Sequence, residues 1–496
     1  MRILIRCDAS TSLGSGHVMR CLTLADVLAA AGCQVHFACR SGPGDLQALI
    51  AARGHEVHAL LVPDPRRDME AALPWQDDIE ALWSVLPAQL DFAWCVVDHY
   101  GLGHEWETAV RLRARRVLAI DDLDTRRHAV DLLLDQNLTA QRRTITLPDT
   151  ARLLAGPRFA LLRPAFARPR AECWGPIRRV LVSFGGVDAA GETLKVLTAL
   201  ADFAEFQVDV VAGPANPHWV ELVERCQGHP AWRLWQHVED FAGLLREADL
   251  AIGAGGGTAW ERACLGVPSL CVSLAPNQRA NAEALAAGGA HLYLGEAAQV
   301  SVAVYRAAVQ TLQASPGLRQ SLAARGRALV DGRGANRVAT ALLGMELLLR
   351  PATLEDARLL FEGRNAERVR QASVNTAPIG WEQHLAWLQQ VLAQPERRLL
   401  LIGETLDGPV GVLRYDRLEG LRAEVSIYLL PERLGQGWGE HLLSGGEQAV
   451  RRHWIDLESI AAQVRPGNLA SLQLFQRAGF LLRDHQLQLS LPRIPS

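Results

Sequence analysis

Short apolar runs at residues 3–7, 34–38, 92–97, 117–120 and 132–134 alternate with stretches of helical apolar spacing through the first third of the chain. A strand covered on both faces reads as such a run, and its alternation with helices predicts parallel strands joined by crossover helices. Residues 163–176, rich in Pro and Arg, interrupt the pattern as a crossing linker would. It restarts at Arg179-Val-Leu-Val-Ser-Phe-Gly-Gly, continues at 208–211, 250–253 and 268–274, and closes with a helical stretch over 318–349. Leu349-Arg-Pro-Ala-Thr-Leu-Glu-Asp-Ala then opens a unit of different order: meander strands at 411–415 and 423–430, a glycine turn and helix, a strand at 460–464, a helix and a last strand. The expected class is α/β, with two Rossmann-like halves at 1–160 and 175–345 and a smaller α/β unit at 347–496.

Composition narrows what such a chain does. It has 496 residues, 49% apolar and 21% charged, which suits several soluble globular cores. A formal net charge of -3 with both signs spread along the length supplies no field for nucleic acid or an anionic membrane, so neither partner is expected. Met1-Arg-Ile-Leu-Ile-Arg-Cys-Asp runs directly into a strand-like segment without a secretion signal. Nine cysteines, without C-x-x-C pairs or His-Cys clusters at zinc spacing, fit reduced thiols in a cytoplasm and no metal.

The chemistry gathers at glycine turns. After the first strand, Asp8-Ala-Ser-Thr-Ser-Leu-Gly14-Ser-Gly16-His17-Val-Met-Arg20 leads into a helix whose free N–H groups face the strand carboxyl ends. Met19 stands where a dinucleotide fingerprint wants its third glycine, which argues against NAD. His17, in the first helical turn, either takes a proton from water or holds the turn by a hydrogen bond. Gly255-Gly256-Gly257-Thr258 repeats the arrangement and lets backbone amides approach a pyrophosphate, while Glu261 either meets ribose hydroxyls or complements the helix dipole. Asp122-Leu-Asp124 has the D-x-D form of metal-dependent sugar transferases. A third turn, Leu434-Gly435-Gln436-Gly437-Trp438-Gly439, is either a diphosphate cradle or a tight connection.

Arg6-x-Asp8-x-Ser10 and Leu13-Gly14-x-Gly16-His17-x-Met19-Arg20 resemble the opening signature of the UDP-2,4-diacetamido-2,4,6-trideoxy-β-L-altropyranose hydrolases of pseudaminic acid synthesis. Val97-Asp98-His99-Tyr100, Ile120-Asp121-Asp122-Leu123, Leu134-Asp135-Gln136-Asn137, Leu161-Leu-Arg-Pro and Ser183-Phe184-Gly185-Gly186-x-Asp188 follow in the same order, so the resemblance covers nearly all of residues 1–345. It implies a GT-B-like pair of halves without a cofactor. Water attacks the anomeric carbon with His17 as base, UDP departs and the centre inverts. The resemblance also implies that Asn277, read here as ending a strand, lies beside the sugar. Asp8, Tyr100 and Arg20 are expected to touch the sugar or to stand behind groups that do.

Glu424-Val-Ser-Ile-Tyr428-Leu429-Leu-Pro431 and the turn that follows resemble the acetyl-CoA motif of the GNAT superfamily of N-acetyltransferases, and Asn468-x-x-Ser471 through Phe475 to Gly479-Phe480 resembles its downstream motif. The resemblance implies acetyl-CoA as cosubstrate, held by Leu429, Leu434, Gln436, Gly437, Gly439 and Asn468. Two positions depart from the pattern. Leu434 replaces the usual Arg or Gln, and Phe475 replaces a tyrosine acid, leaving Tyr428 or a water to protonate the thiolate. Glu424 is either the base, acting through water, or a solvated carboxylate. Arg364-Asn365, Val369-Arg370 and His384-x-x-Trp387 resemble the same pathway's 4-amino-sugar acetyltransferase, which implies UDP-4-amino-4,6-dideoxy-N-acetyl-β-L-altrosamine as acceptor. The competing expectations are a UDP-N-acetylhexosamine glycosyltransferase, and a hydrolase carrying a degenerate acetyl-CoA-binding module.

Overall fold

A computed structural model describes all residues except 12, 62–73, 145–146, 169, 171–173, 214–215, 237, 345, 374, 466, 484–485 and 492–496. The described chain divides into two compact units, Met1–Ala335 and Asn336–Ser496.

The first unit holds two parallel sheets. One contains β1 (Arg2–Cys7), β2 (Gln34–Arg40), β3 (Glu56–Leu60), β4 (Phe92–Asp98), β5 (Ala114–Ile120), β6 (Leu132–Asp135) and β7 (Arg152–Ala155), ordered β3-β2-β1-β4-β5-β6-β7. The other contains β8 (Arg179–Ser183), β9 (Gln207–Val211), β10 (Trp232–Trp235), β11 (Leu250–Ala254), β12 (Ser269–Ser273) and β13 (Leu292–Glu296), ordered β10-β9-β8-β11-β12-β13. In each sheet the winding reverses once, between β1 and β4 and between β8 and β11. Such a reversal parts the connecting loops and opens a crevice at the strand carboxyl ends. Buried apolar strands carry the sheets: Ile3, Leu4 and Ile5 are fully enclosed, as are Val210, Leu250 and Leu270. The expected pair of Rossmann-like halves is what forms.

The second unit is built on one mixed sheet of β14 (Leu348–Pro351), β15 (Arg398–Thr405), β16 (Gly408–Leu418), β17 (Arg422–Leu429), β18 (Ser459–Ala462), β19 (Leu481–Arg483) and β20 (Gln486–Ser490), ordered β14-β15-β16-β17-β18-β20-β19. Only β17 and β18 pair in parallel, from Arg422↔Ser459 to Val425↔Ala462, so β17 runs on past the end of β18. Alternation sends Val425, Ile427 and Leu429 into the core around Leu442 and Phe480, while Tyr428 packs with Leu360, Leu388 and Ile402 on the other face.

Some elements differ from the expectation. The helical stretch over 318–349 is two helices, Pro316–Leu329 and Gly334–Leu343, parted at Gly332 in the left-handed region (φ 75°), and it ends in strand β14. The segment 163–176, expected as a crossing linker, is packed where it is described: Phe166 is buried among Trp260, Leu265 and Leu245, and Arg170 Nη2 donates to Asp249. Its positions 169 and 171–173 lie outside the described residues. Strand β15 was not foreseen because a solid apolar run such as Leu399-Leu-Leu-Ile402 has no period to separate strand from helix. Strand β3 lies at a sheet edge, where Glu56 and His58 are tolerated and mask the pattern.

Candidate functional site

The reversal in the first sheet builds a polar cluster. β1 delivers the turn in which Gly14, at φ 75°, donates its N–H to Ser10 O at 2.9 Å, and the helix Gly16–Ala30 starts immediately after. Neighbouring β4 ends in Asp98, which is wholly buried beneath that helix's first turn. His17 Nδ1 lies 2.7 Å from Asp98 Oδ1, and Arg20 grips the same carboxylate with Nε and Nη2, both at 2.6 Å. Burial opposes the charge of Asp98, but Arg20 and His17 outweigh it and hold the carboxyl well below the ordinary range. With Nδ1 committed to the carboxylate, Nε2 of His17 is the nitrogen left for a reacting proton. The imidazole meets the Tyr100 ring edge-on at 4.9 Å, and Tyr100 donates its hydroxyl to Asp122 at 2.9 Å. Burial, with Asp122 adding to it, raises the Tyr100 hydroxyl far above its usual range, so it serves as a donor.

His17, Arg20 and Tyr100 are thus brought together, and Gly14 and Gly16 frame them. Asp8 is not available to a sugar. It is 1% exposed, accepts from Arg6 Nη1 at 2.6 Å and from Arg40 N–H at 2.8 Å, and so belongs to a buried ion network that also includes Asp78. The D-x-D carboxylates face donors of this chain: Asp122 faces Tyr100 and Arg20, and Asp124 accepts from Thr144. Sequence reasoning missed Asp98 and Asp122 as members of the cluster. The signal was present in the runs Val97-Asp98-His99-Tyr100 and Ile120-Asp121-Asp122, which end the adjacent strands β4 and β5.

In the second sheet, Gly255 to Gly257 follow β11 and lead into the helix Thr258–Leu265. An added Cβ at Gly256 would meet only Gln278 Nε2, at 3.6 Å, and one at Gly257 would meet open space. Thr258 Oγ1 accepts from Arg262 Nη1 at 3.1 Å, which turns its hydroxyl inward. Glu261 faces Arg163 at 3.9 Å, and burial pushes its carboxyl up to about 7 against the pull of Arg163 and Arg262. Asn277 is not at a strand end. β12 stops at Ser273, and Asn277 lies exposed in the first turn of the helix Pro276–Ala287, because Pro276 sets the helical φ at its first position.

In the second unit the turn after β17 places Gly435 and Gly437 in the left-handed region (φ 76° and 83°), and Gly437 precedes the helix Trp438–His453. Such a turn at a helix start is the kind of backbone that can present free N–H groups to an anion. Leu429 ends β17, Leu434 is exposed at the start of the turn, and Gln436 is spent on it, donating Nε2 to Glu432 O at 2.9 Å. Gly439 is buried, and an added Cβ would stand 2.9 Å from Leu474, so its small size serves helix packing. Asn468 caps the helix Leu469–Arg477, its Oδ1 accepting from Ser471 N–H at 3.1 Å. Phe475 is 3% exposed and packs edge-on against Phe480 with ring centroids 5.0 Å apart. Tyr428 rests over Gly363 with its hydroxyl 3.4 Å from Leu360 O, and burial raises it well above the usual phenol range despite nearby Arg364. Glu424, at the even spacing that puts it on the same face of β17, accepts from Gln463 Nε2 at 3.0 Å.

Known proteins match this division. Residues 346–481 match the acetyltransferase (GNAT) domain family. The spore coat polysaccharide biosynthesis protein SpsG of Bacillus subtilis is 35% identical over 209 residues, which cover 41% of this chain and 61% of that protein. The UDP-2,4-diacetamido-2,4,6-trideoxy-β-L-altropyranose hydrolase of Campylobacter jejuni is 24% identical over 292 residues, 58% of this chain and 97% of the hydrolase. Among solved structures, MurG of Acinetobacter baumannii superposes with a TM-score of 0.51 at 18% identity, over 69% of this chain and 99% of that one, a likeness of fold alone. The N-terminal region is therefore homologous to the UDP-diacetamido-altropyranose hydrolase and has the two-sheet fold of the GT-B glycosyltransferases, and residues 346–481 form a GNAT acetyltransferase domain.

Proposed function

We propose that this chain performs two reactions on UDP-sugars of pseudaminic acid synthesis. Its first unit hydrolyses UDP-2,4-diacetamido-2,4,6-trideoxy-β-L-altropyranose to UDP and the free sugar, and its GNAT domain, taken as residues 347–496, acetylates the 4-amino precursor from acetyl-CoA. The observation that carries the hydrolase half is the imidazole of His17 tied through Nδ1 to buried Asp98, at the point where the first sheet reverses. Nε2 takes a proton from water, the oxygen of that water bonds to the anomeric carbon, and the C–O bond to the diphosphate breaks with its electron pair leaving on UDP. UDP needs no proton to depart, so stabilising its charge is the larger task, and the amides of Gly255 to Gly257 suit it. Glu261 holds the ribose, and Asn277 lies by the sugar. In the GNAT domain the glycine turn receives the CoA diphosphate, and the edge of β17 beyond Val425 is open to the pantetheine amides. Glu424 takes the amine proton through water, and Tyr428 protonates the departing thiolate in place of a tyrosine at Phe475.

The test gives the full-length protein each UDP-sugar separately and follows UDP and free CoA thiol. The proposal expects UDP from the diacetamido sugar without acetyl-CoA, and CoA from the 4-amino sugar without UDP loss. UDP release that requires an added acceptor alcohol overturns hydrolysis in favour of glycosyl transfer. Bound acetyl-CoA without turnover of any amino sugar makes the GNAT domain a binding module.

A further inference from the structure

Away from the strand carboxyl ends, at the edge of the first sheet, three side chains with metal-ligating atoms converge. His36 is the third residue of β2, and Glu56 opens the edge strand β3 directly opposite it; His58, two residues on, returns to the same face. His36 Nδ1 lies 2.9 Å from Glu56 Oε2 and 3.2 Å from His58 Nε2, and the three ligand atoms all lie within 4.8 Å of one another. One nitrogen therefore faces both a carboxylate oxygen and a second imidazole nitrogen, although it carries at most one hydrogen to share between them. The neighbours hold it there. The His36 ring lies nearly parallel to that of His58, with centroids 5.5 Å apart, and receives Phe92 edge-on at 5.3 Å. His36 is 3% exposed at a position where a parallel strand ordinarily spends an apolar residue, whereas Glu56 is 69% exposed and leaves the cluster open to solvent.

We propose that His36, Glu56 and His58 bind a divalent transition metal ion, with zinc the best fit. Two imidazoles and a carboxylate are zinc's ordinary nitrogen and oxygen donors. With Zn–N and Zn–O bonds of about 2.0–2.1 Å in a tetrahedron, neighbouring ligand atoms stand about 3.3 Å apart, close to the two separations that His36 Nδ1 makes here. Water completes the fourth position from the open side. The ion cross-links β2 to the edge strand β3. This site is independent of either reaction proposed above.

The experiment is a zinc titration of the full-length protein in competition with a chromogenic chelator, alongside His58→Ala and Glu56→Gln. Both changes fall on an exposed edge strand, and circular dichroism of the metal-free proteins verifies their folding. Wild type should take up one more equivalent than His58→Ala, and Glu56→Gln should bind that equivalent more weakly. Zinc should raise the wild-type melting temperature and leave that of His58→Ala unchanged. Cobalt in the same site should give visible d–d bands without thiolate charge transfer, which separates it from adventitious binding to cysteines. Equal zinc uptake and equal melting shifts in all three proteins, or cobalt spectra dominated by thiolate bands, overturn the proposal.

Discussion

At the scale of single residues, the reaction assigned to the first unit turns on one imidazole and the carboxylate that orients it. His17→Asn removes the base and Asp98→Asn frees the ring. Each should lower the rate of UDP release by ~100-fold or more, with UDP affinity nearly unchanged, since the proposal has the diphosphate held from the other sheet. Steady-state release and UDP titration check the pair, and retention of more than a few percent of activity in His17→Asn would falsify its role. Glu261 makes a prediction about pH. Its carboxyl is pushed from the ordinary 4.5 to about 7 by burial, so between those values the folded chain holds a proton that the unfolded chain has lost. Stability should therefore fall as pH rises through that window, by up to about 3 kcal/mol, and level off above it. Glu261→Gln, which has no proton to lose, should match wild type at pH 5 and melt higher at pH 8. In the GNAT domain Phe475 has no hydroxyl and sits in the core, and the acid proposed in its place is Tyr428. Tyr428→Phe should cut the kcat of acetyl transfer by roughly tenfold or more while melting near wild type, since its 3.4 Å bond to Leu360 O contributes little.

Secondary-structure elements explain why those residues meet. Adjacent parallel strands at each winding reversal carry the turns, so strand spacing sets the geometry of the site. Gly253 on β11 pairs with Ser183 on β8, and a Cβ there would stand 2.2 Å from Ser183 O, a backbone atom that cannot turn aside. Gly253→Ala should force the two strands apart, lower stability by about 1–3 kcal/mol and weaken UDP binding together with it. Gly256→Ala, with 3.6 Å to its nearest neighbour, should melt like wild type and weaken only UDP binding. Thermal melts paired with UDP titrations separate the two effects; equal melting losses would show that the turn, like the strand, is a packing feature.

For the whole molecule, the two compact units predict separable activities. Cutting at Arg350 falls inside β14 and strips Arg350 from the second unit, where it pairs with Asp356 at 2.7 Å and Glu404 at 2.9 Å. A fragment of residues 1–347 leaves β14 whole in its partner fragment and should release UDP at a rate within a few-fold of the full chain, while a fragment of residues 336–496 should bind acetyl-CoA. Insolubility of both fragments would show that each unit needs the other to fold. Among the described residues no helix is long and apolar enough to cross a membrane.

The amino-acid sequence alone determined the central strands of the first two sheets, the glycine turns and the order of the units, because each depends on spacing within a few residues of itself, while the equally buried run of β15 escaped it. It also marked His17, Arg20 and Tyr100, through motifs that lie next to strand ends. Only the tertiary structure decided who partners them. Asp98 reaches His17 across 81 positions because β4 lies beside β1, and that adjacency follows from winding order rather than local pattern. The same limit explains the remaining differences. Asp8 faces Arg40 from β2 as well as Arg6 of its own strand, Phe475 is enclosed by residues from across its unit, and His36 meets Glu56 and His58 only through the register of β2 and β3, whereas Asn277 is set by a local signal, the helix that Pro276 starts.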